Sequence, residues 1–256
     1  MYKKILIVSI ALFIFAATLF AEEKQDPVAV IIKTSGQVFL HRGDTNEAMK
    51  HGTVLYSGDE IVSGEASLAI VKFVDKGAII KIFSNSILTI NAKKNVKKLD
   101  KKLYAEIGNI WSQVKKESGE YEVSTPTTVA AVKGTEFLVS VDEKLTMVST
   151  FSGVVEVRNE FGTANISAGK TATVSKEKAP DVAKTQTSSI NSQILEEINT
   201  EPTPEEGNGE TGDGGGNTED SEDGGEDGGD EGEQGNMLEI QFENENGEMK
   251  TMIIYY

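Results

Sequence analysis

The sequence predicts an all-β protein, a twisted β-solenoid or β-roll, with a two-sheet β-sandwich as the alternative. Short Val/Ile-rich runs fill the span from Val28 to about Ser175. Turn signals interrupt them about every 8–12 residues, the rhythm of a sandwich or barrel-like domain. No window in that span carries the apolar spacing of a long amphipathic helix.

Val28-Ala-Val-Ile-Ile32 opens the region as a short apolar run. Gly36-Gln-Val-Phe-Leu40 then alternates before a turn at Arg42-Gly-Asp44. Between Ser67 and Phe73, Leu68, Ile70 and Lys72 alternate with Ala69, Val71 and Phe73, so both faces of that strand are expected to be covered. Asp75-Lys-Gly77 turns into Ala78-Ile-Ile-Lys-Ile-Phe83, and Ser84-Asn-Ser86 turns into Ile87-Leu-Thr-Ile90. Lys93 to Tyr104, with Val96, Leu99 and Leu103, fits one or two helical turns. Ser35-Gly36-Gln-Val38 is echoed by Ser152-Gly153-Val-Val155, and each is followed 16 residues after its glycine by another, Gly52 and Gly169. Such an echo is what a roll or solenoid produces, because each rung solves the same packing problem.

Composition narrows the chemistry. The chain has 256 residues, two His and no Cys, which removes disulfides, thiolate nucleophiles and Cys-ligated zinc. The net charge of −16 argues against a nucleic-acid partner, which requires a basic footprint. The charge is unevenly placed. Residues 196–235 carry 16 acids and no Lys or Arg, and the remaining positions balance 25 acids against 25 bases.

Both ends differ from the middle. Residues 1–21 read as a signal peptide: Lys3 and Lys4 precede the apolar run Ile5–Phe20, and Ala21 precedes Glu22 and Glu23. A periplasmic or secreted location follows, with the mature chain expected to begin at Glu22. The β domain spans 28–178 and a linker spans 179–206. Ile190, Ile194 and Ile198 predict a short helix in the linker, opening near Ser188 or Ser189 and ended by Glu201-Pro-Thr-Pro204. Residues 207–235 hold 12 Gly among 29 positions rich in Asp and Glu, so disorder is expected there. Residues 236–256 alternate around Asn244-Glu-Asn-Gly247 and read as a terminal β-hairpin.

The most distinctive stretch is Val123-Ser-Thr-Pro-Thr-Thr-Val-Ala-Ala-Val-Lys-Gly-Thr-Glu-Phe-Leu-Val139. Pro126 is expected at a strand entrance, Gly134 at a bend or bulge, and Phe137 as the anchor that restarts the strand. The stretch resembles the hallmark of the FecR-type domain through Thr125, Pro126, Lys133, Gly134, Thr135, Glu136 and Phe137. Upstream, Gly58-Asp-Glu-Ile61, the Phe73–Gly77 turn, Asn85-Ser86 and Leu103 through Trp111 to Val114 extend the likeness. Downstream, Phe151-Ser-Gly-Val-Val-Glu-Val157 continues it. The chain departs from the pattern at Lys133, where the family usually has Arg, and at Lys76, which splits an Asp-Gly pair. FecR-type proteins relay siderophore status to a sigma factor through a cytoplasmic segment, one membrane span and a periplasmic β domain. Only four residues precede the apolar run here, so the resemblance implies the periplasmic fold and a protein-interaction role, with no sigma factor expected.

The other candidates carry plainer readings. Trp111 and Tyr104 would serve a carbohydrate- or peptidoglycan-binding module if exposed on one face, but a lone Trp in a β domain belongs to the core more often. His41 and His51 flank a hairpin loop without an acid cluster, and the Asp-Gly-Gly units of the tail lack calcium-loop spacing, so no metal or cofactor is expected. Glu136 has no second carboxylate at useful spacing, and an enzyme is not expected. The Thr125–Phe137 motif reads as a folding signature. Lys93, Lys94, Lys97, Lys98, Lys101 and Lys102 form the candidate interaction patch, offset only by Asp100. A Gly-rich segment of 29 residues reaches about 30 Å, enough to return to these lysines from a domain of about 15 Å radius of gyration. A solvated spacer is the simpler reading of the tail, because exposed ion pairs are weak. The sequence thus describes an exported, non-enzymatic module that binds an envelope protein or, alternatively, an envelope glycan.

Overall fold

The structure is a computed structural model that describes residues 25–95, 98–186, 188 and 190–200, together with the backbone of 237–243 and 249–255. The expected signal peptide and acidic segment lie outside the described residues.

The chain opens with β1 (Ala29–Ser35), turns at Gly36 into β2 (Val38–Arg42) and β3 (Thr45–Ala48), and returns past Gly52 to β4 (Val54–Leu55). β5 (Asp59–Ser63) precedes the hairpin β6 (Leu68–Phe73) and β7 (Ala78–Ile82). β8 (Ile87–Asn95) and the long β9 (Lys98–Val114) follow. Next come β10 (Tyr121–Ser124), β11 (Val129–Val132), β12 (Glu136–Val141) and β13 (Leu145–Ser152). β14 (Val154–Asn159), β15 (Gly162–Ser167), β16 (Lys170–Ser175) and β17 (Asp181–Lys184) complete the body, and α1 spans Ser192–Asn199. Farther on, β18 (Met237–Glu243) pairs antiparallel with β19 (Met249–Tyr255), Met237 opposite Tyr255.

The strands form two sheets that share β9. The first runs β4-β1-β6-β7-β9-β12-β13-β16-β17. The second runs β3-β2-β5-β8-β9-β10-β11-β14-β15. Residues 98–107 of β9 lie in the second sheet and 108–114 in the first. The strand bends at Gly108, where φ is +98° and any Cβ would collide with Ser86. The architecture unites the two expectations: the sheets face each other as in a sandwich, and the chain winds between them as in a roll.

The sequence echo has a structural origin. Gly36 and Gly153 are the corners where β1 and β13 leave the first sheet for the second. Gly52 and Gly169 lie on the return, and all four have φ between +72° and +82°. The N–H of Gly52 donates to Ile31 O and that of Gly169 to Thr150 O, both at 2.8 Å. Each repeat is therefore a strand, a corner, a hairpin in the opposite sheet and a corner back.

Alternation decides which side chains enter the core. Ala29 and Ile31, Val71 and Phe73, Ile80 and Ile82, and Phe137 and Val139 face Val38, Leu40, Ile61, Leu88, Leu103 and Val155 of the other sheet. Tyr121 meets Phe137 edge-on, with ring centroids 6.2 Å apart, and donates its hydroxyl to Ser112 Oγ at 2.8 Å. Burial raises the Tyr121 phenol above its ordinary value. The intervening residues of the first sheet point outward and form a second apolar layer: Val30, Ile32, Leu68, Ile70, Phe83, Trp111 and Leu138 lie with Ile194 and Ile198 of α1. Every residue of β6 is buried, as two covered faces require.

Four expectations are corrected. Residues 93–95 and 98–104 are strand, because Leu99, Leu103 and Ala105 of β9 point inward at period two. Asp181–Lys184 is not linker but an edge strand paired to β16, so the sheet continues past 178. Thr125–Thr128 forms the turn between β10 and β11, with Pro126 exposed, and the strand begins only at Val129. The helix opens at Asn191, whose side chain accepts from the Gln193 N–H, because Asn is a strong N-cap while Ser188 and Ser189 precede the periodic turn.

Candidate functional site

The motif residues tie the roll together. Gly134 is the corner from β11 to β12, with φ of +74°; an added Cβ would strike Lys116. Thr135 donates to Val154 O at 3.0 Å, and Phe137 is fully buried. Thr125 and Thr127 both bond Thr146 Oγ1, at 2.9 and 2.7 Å, which joins the β10–β11 turn to β13. Glu136 accepts from the Trp111 indole at 3.3 Å. Lys133 is exposed. The upstream resemblance residues act alike. Asp59 is buried and receives Arg42 through two bonds of 2.8 and 2.6 Å. Asp75 accepts from Gly77 N, from Leu99 N and from Lys101 Nζ at 2.6 Å. Beside the β10–β11 turn a depression of about 420 Å³ is bordered by Thr125, Pro126, Arg158 and Phe161, the last 54% exposed.

The six lysines are divided by the strand pattern. Lys93, Lys94, Lys98 and Lys102 are exposed at the free end of the β8–β9 hairpin. Asp100 pairs across from Lys93, and Glu122 from Lys102. Backbone and Asn95 hydrogen bonds hold the Asp100 carboxyl below its ordinary value. Lys97 lies outside the described residues. Lys101 does not belong to the patch: it is 0% exposed, donates to Asp75, Leu99 O and Ser118, and sits 5.3 Å over the Phe73 ring. Burial lowers its pKa, and Asp75 opposes that shift.

Trp111 and Tyr104 lie in different sheets. Trp111 is 4% exposed beneath α1, whereas Tyr104 is 39% exposed on the second sheet, so they form no common stacking platform. His41 contacts Glu60 at 3.0 Å and pairs across the hairpin with Asn46, not His51. Among the described residues no group of three His, Asp or Glu side chains could hold a metal ion. No helix among them is long and apolar enough to cross a membrane.

One functional candidate escaped the sequence. Lys81, on β7, is 2% exposed on the outer face of the first sheet. Its ammonium donates to Glu197 O at 2.5 Å, Thr200 O at 2.6 Å and Ile198 O at 3.4 Å, and lies 5.1 Å from the Trp111 ring. Burial lowers its pKa, and Glu197 acts in the opposite direction. The available signal was a lone Lys inside the apolar run Ala78–Phe83.

Residues 59–156 match the FecR protein family. The matched segment includes the Gly134 corner, the Asp75–Lys101 pair and the whole of β9. No curated protein matches the chain. Two solved structures of a "putative anti-sigma factor" from Parabacteroides distasonis ATCC 8503 align at 18% identity, with TM-scores of 0.42 and 0.41. Each alignment covers 50% of this chain, which spans 59% of the length of those proteins.

Proposed function

We propose that the protein is an exported, non-enzymatic FecR-type module that binds another protein in the cell envelope and takes part in signalling there. The match to the FecR family across the centre of the body carries this reading. The geometry supports it in a second way. Asp59, Asp75, Thr125, Gly134, Thr135, Glu136 and Phe137 are engaged in internal ties, which leaves recognition to exposed surfaces. The lysine end of the β8–β9 hairpin is one such surface and suits an acidic partner. An envelope glycan would call for exposed aromatics on one face, and Trp111 lies under α1.

Capture from envelope fractions separates protein from glycan. The purified chain should retain a discrete protein from fractions treated with muramidase and lose it from fractions treated with protease. Retention that survives protease and vanishes with muramidase would overturn the reading in favour of a glycan.

A further inference from the structure

The outer face of the first sheet is closed by a helix that is too short to stand alone. α1 has eight residues, and isolated helices below about 12–15 residues are marginal in water. It is held by Ile194 and Ile198 against Ile70, Phe83, Trp111 and Leu138, with Ile190 alongside. Its C-terminal turn ends over Lys81, which donates to three of its carbonyls. Those carbonyls belong to the last turn and its Thr200 cap, where Glu197 O also accepts from the Thr200 N–H at 3.3 Å, and they form the negative end of the helix dipole. A buried ammonium aimed at backbone carbonyls recognises a helix end whatever its sequence. Glu136 holds the Trp111 indole in place beneath that ammonium. A groove of about 800 Å³ continues beside α1, bordered by apolar Leu68, Phe83 and Ile194 and by charged Lys33, Asp142 and Glu196.

We propose that this face is a receptor for an amphipathic helix of a partner protein, with aliphatic side chains at i, i+4 and i+8 and its last turn over Lys81, and that α1 keeps it closed in cis until that helix displaces it. The proposal rests on the protein-binding reading above and names a surface for it. Tethering gives α1 a high effective concentration at the face, so a competing helix must contribute more contact than α1 does. A longer helix can do so by extending into the open groove.

Trp111 is the chain's single tryptophan, and its emission therefore reports the covering of the face. In the full chain, Ile194→Asp with Ile198→Asp should shift that emission to the red without loss of the β-sheet circular dichroism signal. A fluorescein-labelled peptide of residues 188–200 should bind this variant at least ~10-fold more tightly than it binds the unaltered chain, a difference of about 1.4 kcal/mol. Adding Lys81→Met should weaken that binding at least ~10-fold while the thermal midpoint is preserved. Should the double Asp variant fail to fold, Ile198→Ser provides the same comparison. Absent peptide binding, equal binding to open and closed chains, or unchanged affinity in the Lys81→Met background would each overturn the proposal. Dimerisation of the unaltered chain through exchanged α1, seen by sedimentation, would reassign the face to a second copy and overturn it too. Failure of the peptide assay with protease-sensitive capture intact discards this face and leaves the proposed function standing.

Discussion

At the scale of single residues, Lys101 and Lys81 show how a buried charge survives in a β protein. Lys101 meets a carboxylate, a carbonyl and a hydroxyl, so each ammonium proton has an acceptor. Removing only one member of such a pair strands the other. Asp75→Ala should destabilise the domain by about 3–5 kcal/mol, whereas Asp75→Ala with Lys101→Met should recover most of that loss in urea denaturation. Equal losses in the single and double variants would contradict the pairing. Asp142 offers a test in pH. The Lys144 and Leu145 N–H groups hold its carboxyl below the ordinary 3.8. The folded state thus favours the charged form, and its contribution is complete above the unfolded value and lost as pH falls through the folded one. Asp142→Asn should flatten the fall of the thermal midpoint below about pH 4; an unchanged slope would refute this. Neither Lys101 nor Lys81 was legible by composition. Lys101 stands in a lysine-rich run, and only the alternation of Leu99, Lys101 and Leu103 points it inward. Lys81 was visible as an oddity in an apolar strand, but its partner is a helix end more than a hundred residues away.

At the scale of elements, corners do the work that loops do elsewhere. Gly134 carries the chain from one sheet to the other with positive φ and Lys116 against it. Gly134→Val should cost about 1–3 kcal/mol in chemical denaturation. A change below about 0.5 kcal/mol, the scatter of an ordinary surface site, would remove the claim. The corner pairs Gly36/Gly52 and Gly153/Gly169 were legible as an echo because each corner must place a glycine at a fixed spacing from its strand. The strand character of residues 93–95 and 98–104 was not, since Leu99 and Leu103 fit either period and only pairing along β8 decides between them. β17 was missed for a related reason: an edge strand pairs through its backbone and needs little apolar pattern.

At the scale of the whole molecule, two sheets share β9, and the segment that matches the FecR family spans the strand that joins them. The core lies between the sheets, a second apolar layer lies under α1, and exposed lysines mark the far end of the β8–β9 hairpin. The all-β class and the winding of the chain followed from turn spacing and alternation. The covering of one sheet by α1 did not, because the isoleucines at i, i+4 and i+8 specify an apolar face without naming what it meets. The central claim is that this body works by binding another protein. Site-specific photo-cross-linking in intact cells tests it most directly, with the photoreactive residue at Lys98 or Lys102 and, as a control, at Lys170 on β16. The account predicts a discrete protein adduct from at least one hairpin position and none from the control. Adducts from neither hairpin position, or the same adducts from all three, would contradict it.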